Sequence, residues 1–272
     1  MLKNESVRSI RAGKHLSASA LKTFLTCPWK FKLQYVEGVA PEFRPSALVL
    51  GKSVHEALAI HHLALMEGKP VSANEVQARF DSALDLQLRE EVPISFKANE
   101  DVDLLRETGR GLVAVYLEES VHDGSIIAVE QGWRADLINP RTGELSDVAL
   151  VGVFDLVEKN GEEQLVIAEI KTAARKWSPG QVDLDLQGSL YAEAIAQAGL
   201  VPEGREAVLR YDVVVKNKKP VLDRRYAVRR PGDRELARVI TWDALQAIEA
   251  GAFYRNPGWQ CDGCPFRRQC GV

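Results

Sequence analysis

Apolar positions recur along this chain with two different spacings, and the change from one to the other divides it. Up to residue 121 the spacing is helical. Ser17 stands as the N-cap of a segment running to Cys27, with Leu21, Phe24 and Leu25 at helical intervals. Pro28 suits the first position of a second helical stretch, 29–36, and Pro41 and Pro45 mark the loop behind it. Residues 48–66 form a long, largely apolar helix that ends before Gly68-Lys-Pro70. Two more helices are predicted at 73–91 and 101–121.

From residue 125 the period shortens to that of strands. Residues 125–138, with Trp133 inside, open the sheet, and Asn139-Pro-Arg-Thr-Gly143 turns the chain. Segments 148–158 and 165–172 are rich in Val, Leu, Ile and Phe and flank Asn160-Gly161, a strong hairpin signal. Pro179-Gly180 breaks the chain before a helix at 183–198. A second hairpin joins 206–215 to 221–228 across Asn217-Lys-Lys-Pro220, and a helix at 234–250 leads into a cysteine-containing tail. With no internal repeat and no clean boundary, the chain reads as a single domain over 1–272. It comprises a helical region (16–122), a sheet core (125–230), and a helix with its tail (231–272).

Composition changes this picture little. No apolar run approaches the roughly 20 residues needed to cross a bilayer, and the N-terminal residues contain no apolar leader core, so a cytoplasmic protein without membrane contact is expected. The distribution of charge says more than its total. Residues 1–45 carry eight Lys/Arg against three acids and residues 201–272 fourteen against nine, a net of +5 each, which leaves −13 between them for an overall −3. Basic ends around an acidic middle suit a polyanion gripped at its edges over metal-binding carboxylates; acidic surface helices in 75–120 account for part of the asymmetry.

The central hairpin carries the chemistry. Folding about Asn160-Gly161 puts Asp155 opposite 167–169, so Asp155 and Glu169 become cross-strand neighbours with Cβ atoms roughly 5 Å apart. Lys171, two residues beyond Glu169, shares its face. Two carboxylates and an ammonium among apolar neighbours suit a hard divalent cation, Mg²⁺ or Mn²⁺, with Lys171 orienting or helping to deprotonate its water. A solvent-facing hairpin with an ordinary ion pair has the same spacing. His55 lies on a mostly apolar helix one turn after Gly51, where the helix can approach another backbone closely, whereas His61 and His62 read as solvent-facing. Gln187 and Tyr191, four residues apart, share a helix face able to look toward the hairpin and to bond phosphate oxygens or a base; a half-buried Tyr and a surface Gln fit the pattern equally.

All four cysteines lie near the ends: Cys27, and Cys261-x-x-Cys264 with Cys270. Such a set reads as a metal or cluster site joining the two termini, and Zn²⁺ and [4Fe–4S] both satisfy the count.

In order, Leu16-Ser-Ala-Ser with Cys27-Pro28, Gly51-Lys-Ser-Val-His55, Gly152-Val-Phe-Asp155, Glu169-Ile-Lys171, Gln187-x-x-x-Tyr191 and the Cys261/Cys264/Cys270 tail make the chain resemble the PD-(D/E)xK nuclease superfamily. Within it, the similarity is to RecB-like exonucleases with an iron–sulfur cluster, such as the nuclease domain of AddB-type helicase–nucleases and the CRISPR-associated RecB-like exonucleases. The resemblance implies an α/β, restriction-endonuclease-like core with a mixed central sheet flanked by helices, its N-terminal helical region clasped to the C-terminal tail by a four-cysteine cluster. It implies metal binding by His55, Asp155, Glu169 and the Ile170 carbonyl, catalysis by Lys171, and positioning of DNA and Lys171 by Gln187 and Tyr191. It also favours [4Fe–4S] over Zn²⁺ at Cys27, Cys261, Cys264 and Cys270. The expected activity is Mg²⁺- or Mn²⁺-dependent exonucleolytic hydrolysis of single-stranded DNA or DNA ends, in repair, recombination or CRISPR adaptation. Lys216, Lys218, Lys219, Arg224 and Arg225 would track the DNA backbone. The chain is too short for a motor, so a helicase or other recombination or CRISPR-adaptation proteins are candidate partners. A DNA-end-binding adaptor with little activity of its own, or a zinc-clasped structural protein, are the competing readings.

Overall fold

The computed structural model describes residues 13–122, 124–202 and 204–271. The leader reading, and the basic residues Lys3, Arg8 and Arg11, lie outside them.

Strand β1 (His15–Ser17) opens the described chain, and Ser17 both ends it and caps α1 (Ala18–Thr26), its hydroxyl accepting from the Ala20 amide at 3.2 Å. Leu21 and Phe24 are buried, but Leu25 at the third predicted position is exposed. Pro28 starts α2 (Pro28–Phe31) as expected, and a π-helical turn (Lys32–Val36) finishes the stretch. A two-residue bridge then pairs β2 (Arg44–Pro45) with β3 (Ile94–Ser95). Around it stand α3 (Ser46–Met66), α4 (Ala73–Leu88), entered through a Ser72–Glu75 capping box, and α5 (Val102–Glu119), capped by Asp101. The sheet strands follow: β4 (Ser125–Ile138), β5 (Leu145–Lys159) and β6 (Leu165–Ala173). Where one helix was expected after Pro179-Gly180 there are two. Ser178 caps α6 (Pro179–Asp183), and Asp185 then restarts the chain as α7 (Leu186–Gln197). Strands β7 (Ala207–Val215) and β8 (Val221–Arg229), helix α8 (Pro231–Glu249) and the short α9 (Arg267–Cys270) complete the chain.

The β5–β6 hairpin forms, but not around a two-residue turn. Lys159 pairs with Leu165, leaving a loop 160–164 in which Glu163 takes a left-handed φ of 59° and the Asn160 side chain accepts the Glu162 and Gln164 amides. Asn160 thus nucleates the reversal through its side chain.

The sheet is mixed: β4 and β5, β5 and β6, and β7 and β8 are antiparallel, whereas β1 and β5, and β6 and β7, are parallel. Helices cover both faces. Leu21 and Phe24 of α1, Leu190, Tyr191 and Ile195 of α7 and Trp242 of α8 pack with Phe154, Ile167 and Val213. On the other face Val54 and Leu58 of α3, Phe80 of α4 and Tyr116 of α5 pack with Ile170 and Val214. Adjacent residues Val213 and Val214 enter opposite cores, as strand alternation requires. The expected helical region 16–122 is therefore not one unit: α1 and α2 belong to one layer and α3 to α5 to the other, with the sheet between. No described helix is long and apolar enough to cross a membrane.

Candidate active site

The longest strand, β5, is paired along one edge by β4. Its other edge is shared by two strands: β1 covers Ala149–Val151 and β6 covers Leu156–Lys159. Among the described residues nothing pairs with 152–155 on that edge. The gap is Gly152-Val-Phe-Asp155, and a groove of about 580 Å³ opens there, lined by Ser17, Gly152, Asp155, Glu169, Gln187 and Tyr191 among others. Gly152 is required locally, because a Cβ would meet the Trp133 ring at 2.4 Å. Trp133 in turn stacks on Phe154 at 5.7 Å.

Asp155 and Glu169 do face a common space. Where the β5–β6 ladder stops, the Asp155 carboxylate takes over its hydrogen bonding and accepts from the Ile170 amide at 2.7 Å. Glu169 is held from three sides. Lys171 Nζ donates to its Oε1, Gln187 Nε2 donates to the same oxygen at 2.8 Å, and the Tyr191 hydroxyl donates to Oε2 at 2.7 Å. Gln187 also accepts from Lys171 at 3.0 Å and donates to the Tyr191 oxygen at 2.5 Å. The amide and phenol thus grip Glu169 and Lys171, and Tyr191 is 3% exposed. Helix α7 reaches this position because Gly188 lets it lie on β7: a Cβ there would be 2.1 Å from the Tyr211 hydroxyl.

From the opposite face, α3 brings His55 Nδ1 to 3.5 Å from Asp155 Oδ2. Gly51, one turn earlier, meets a side chain rather than a backbone, with Thr172 Oγ1 3.4 Å from where its Cβ would stand. A second groove of about 580 Å³ runs along this side past His55, Glu130, Lys171 and Thr172.

Sequence reasoning missed Glu130. Its neighbours Val129 and Gln131 pair with Leu156 and Phe154, which sets Glu130 across from Asp155, in a left-handed conformation at φ 48°. A non-glycine residue held this way within a strand is strained and tends to mark a functional position. The strand pattern of 125–138 carries no sign of it. One donor atom each from His55, Glu130 and Asp155 lies within 4.8 Å of the others, a set that fits one divalent ion, with the imidazole suiting Mn²⁺ better than Mg²⁺.

The electrostatics suit a cation. Partial desolvation beside the groove and the Asp155 charge push Glu130, which keeps an exposed surface, up to about 7. Burial and Asp155 likewise raise Glu169. Burial opposes charge on His55, but Asp155 and Glu169 outweigh it and raise the imidazole to about 9. Burial also opposes charge on Lys171, and Glu169 with Asp155 keeps its ammonium above the ordinary value. Without a metal, the His55 imidazolium and the Lys171 ammonium offset the crowded carboxylates, and a metal ion would supply further positive charge there.

The basic residues are divided. Lys218 and Lys219 are exposed and Lys216 half-buried in the β7–β8 turn, anchored by the bond from the Lys216 amide to the Ala173 carbonyl at the end of β6. Arg224 is committed to the fully buried Asp212 at 2.8 Å and Arg225 to Asp223 at 2.9 Å. Cys27, Cys261, Cys264 and Cys270 line one cavity of about 280 Å³ with Trp29 and Phe266. The two ends of the chain are also joined there by the Trp29 amide on the Tyr254 carbonyl at 3.0 Å and by the Arg255 guanidinium 4.2 Å above the Trp29 ring.

A sequence model of the PD-(D/E)XK nuclease superfamily matches residues 15–271. Among solved structures, a "putative exonuclease" of Eubacterium rectale superposes with a TM-score of 0.54 at 13% identity, covering 99% of this chain and 94% of its own. A second, SSO0001, aligns over 89% of this chain and 93% of its own at 12% identity with a TM-score of 0.36, too distant to bear on the argument. Comparison with curated proteins returns no significant match.

Proposed function

Since the chain belongs to the PD-(D/E)XK nuclease superfamily, we propose that it is a divalent-metal-dependent deoxyribonuclease that degrades single-stranded DNA or DNA ends from a terminus. The observation that carries this reading is the convergence of His55, Asp155, Glu169 and Lys171 on the break between β1 and β6. Asp155, His55, Glu130, Glu169 and the Ile170 carbonyl are the groups that would hold the ion. When bound, Mg²⁺ or Mn²⁺ there supplies positive charge for the scissile phosphate and lowers the pKa of the attacking water. Lys171, whose acidic neighbours favour its charged form, would place an ammonium where negative charge grows in the transition state, an electrostatic and orienting role. Gln187 and Tyr191 fix Glu169 and Lys171 in one geometry. Lys216, Lys218 and Lys219 supply backbone-tracking charge at the same end of the sheet as Lys171, whereas Arg224 and Arg225 serve the fold.

The same reading puts a [4Fe–4S] cluster at Cys27, Cys261, Cys264 and Cys270. Four thiols around a cavity of about 280 Å³ leave room for a cluster, whereas one Zn²⁺ requires the sulfurs to close on a single ion with bonds of about 2.3 Å.

The deciding assay presents end-labelled linear and circular single-stranded DNA with Mn²⁺. Cleavage of the linear strand alone, abolished by Asp155→Ala and by Lys171→Ala with DNA binding retained, is expected. Cleavage of circles overturns the requirement for an end. Binding without cleavage of either substrate replaces the nuclease with an end-binding adaptor.

A further inference from the structure

Toward the C-terminal end of α3, two turns beyond His55, the fold builds a second cluster. His62, read from sequence as solvent-facing, is 0% exposed. It packs against His61 and against His122, which stands between α5 and β4, with ring centroids 5.3 Å away in each case. One nitrogen of each ring lies within 4.8 Å of the other two.

We infer that His61, His62 and His122 form a binding site for a first-row transition-metal ion of the Zn²⁺ class, separate from the nuclease centre. The ring nitrogens that point away from the cluster decide the matter. Tyr116 donates its hydroxyl proton to Asp212 Oδ2 at 3.2 Å, so its oxygen accepts from His62 Nε2 at 3.1 Å. That bond puts the His62 proton on Nε2 and leaves Nδ1 a bare lone pair, buried without a partner. His122 Nδ1 donates to Glu158 Oε1, and its Nε2 is likewise buried without a partner. Two buried acceptors without a protein donor, beside a third imidazole, call for a water or an electrophile among them, and the approach of three ring nitrogens suits a metal ion. The outer bonds, carboxylate to imidazole and phenol to imidazole, are those that fix tautomer and ring orientation behind metal-ligating histidines.

The chemistry selects the ion. The charges behind the rings, Glu158 and Asp212 against Arg210 and Arg224, balance. No negative field is left to attract Mg²⁺, so affinity comes from neutral nitrogen donors, which favour Zn²⁺ and its neighbours. A groove of about 610 Å³ past His61, Met66, Ser120 and His122 provides entry and room for water as a fourth ligand. Bound there, the ion would tie α3 to the segment between α5 and β4. Because His55 and His62 share a face of α3 while Asp155 and Glu158 share β5, one helix and one strand carry both sites.

The test titrates chelator-treated full-length protein with Co²⁺. One equivalent should give ligand-field absorption without thiolate charge transfer, displaced by Zn²⁺ and not by Mg²⁺. It should be lost in His61→Ala and His122→Ala and kept in His55→Ala and Cys264→Ser. Tyr116→Phe, which removes the bond to His62 Nε2 together with that to Asp212 and leaves all three imidazoles in place, should weaken binding by about 10-fold or more. Should a histidine variant fail to fold, imidazole ¹⁵N–¹H spectra of the wild type give the answer: protons on His62 Nε2 and His122 Nδ1, and shifts at His62 Nδ1 and His122 Nε2 on adding Zn²⁺. Unchanged imidazole spectra, or full Co²⁺ uptake by folded His122→Ala, overturn the site and leave the nuclease reading untouched.

Discussion

Gly188→Ala tests whether the catalytic grip depends on how closely α7 lies against the sheet. The new methyl would stand 2.1 Å from the Tyr211 hydroxyl and 2.7 Å from Leu209 Cδ1, against about 3.4 Å for ordinary contact, so something must move by about 1.3 Å. Tyr211 cannot easily yield: it is 1% exposed and its hydroxyl donates to Asp185, the residue that caps α7. The helix is therefore the part displaced, and with it Gln187 and Tyr191. Their bonds to Glu169, at 2.8 and 2.7 Å, do not survive a shift of that size. Overpacking costs about 1–3 kcal/mol of stability. Misplacement by about 1 Å, at a residue that touches neither substrate nor metal, is expected to lower kcat by about 100-fold. The assay is Mn²⁺-dependent degradation of end-labelled single strands beside a thermal melt, with kcat and KM separated. Gly188→Ala/Tyr211→Phe removes the 2.1 Å contact and should recover part of the rate. A folded Gly188→Ala with wild-type kcat would refute the idea that α7 sets the geometry of Glu169 and Lys171.

Purified protein should be brown, and Cys264→Ala should lose both colour and thermal stability; colourless protein containing one zinc would replace the cluster without touching the nuclease. Lys218→Ala and Lys219→Ala should each weaken DNA binding uniformly and flatten its salt dependence by about one ion, whereas Arg224→Ala, which strips a partner from buried Asp212, should cost about 1–3 kcal/mol of stability with the salt slope unchanged. At Asp81, burial raises the carboxyl but hydrogen bonds from Arg110 and Arg106 hold it below its ordinary 3.8, so it contributes stability above that value and loses it as pH falls through the depressed one. Asp81→Asn should accordingly lower urea stability by about 1 kcal/mol at neutral pH, and the difference should shrink in acid; a difference that persists to low pH removes this ion pair from the account.

Where a residue's neighbours along the chain decide its structure, the sequence was readable. Ser17, Asp101 and the 125–138 and 165–172 strand patterns placed their elements within a few residues, and pairing on either side of residues 160–164 carried Asp155 to Glu169. Where side-chain bonds or tertiary contacts decide, it was not. The Asn160 side chain, bonding two amides, overrode the two-residue turn that Asn-Gly suggests. His62 follows another histidine near the end of its helix but is covered by Tyr116 and His122, 54 and 60 positions away. Glu130 enters the site only because β4 crosses β5 at Asp155, and Arg224 leaves the DNA-facing set only because Asp212 lies buried beneath it. The last three are pairings between distant segments, which periodicity does not encode, and the Asn160 turn is a local side-chain bond that the Asn-Gly pair does not announce.

One jamb of the catalytic opening is a three-residue strand, β1, whose last residue starts the helix that ends beside Cys27. That doorpost has little hold of its own on the rest of the sheet. It stays upright because its helix is moored at the far end, where Thr26 accepts from Asn256 at 2.9 Å and the thiols of the tail crowd round. Loosening the mooring, by alkylating the thiols or clipping the tail, is therefore expected to free that post some residues away, so that a segment outside the opening governs its width.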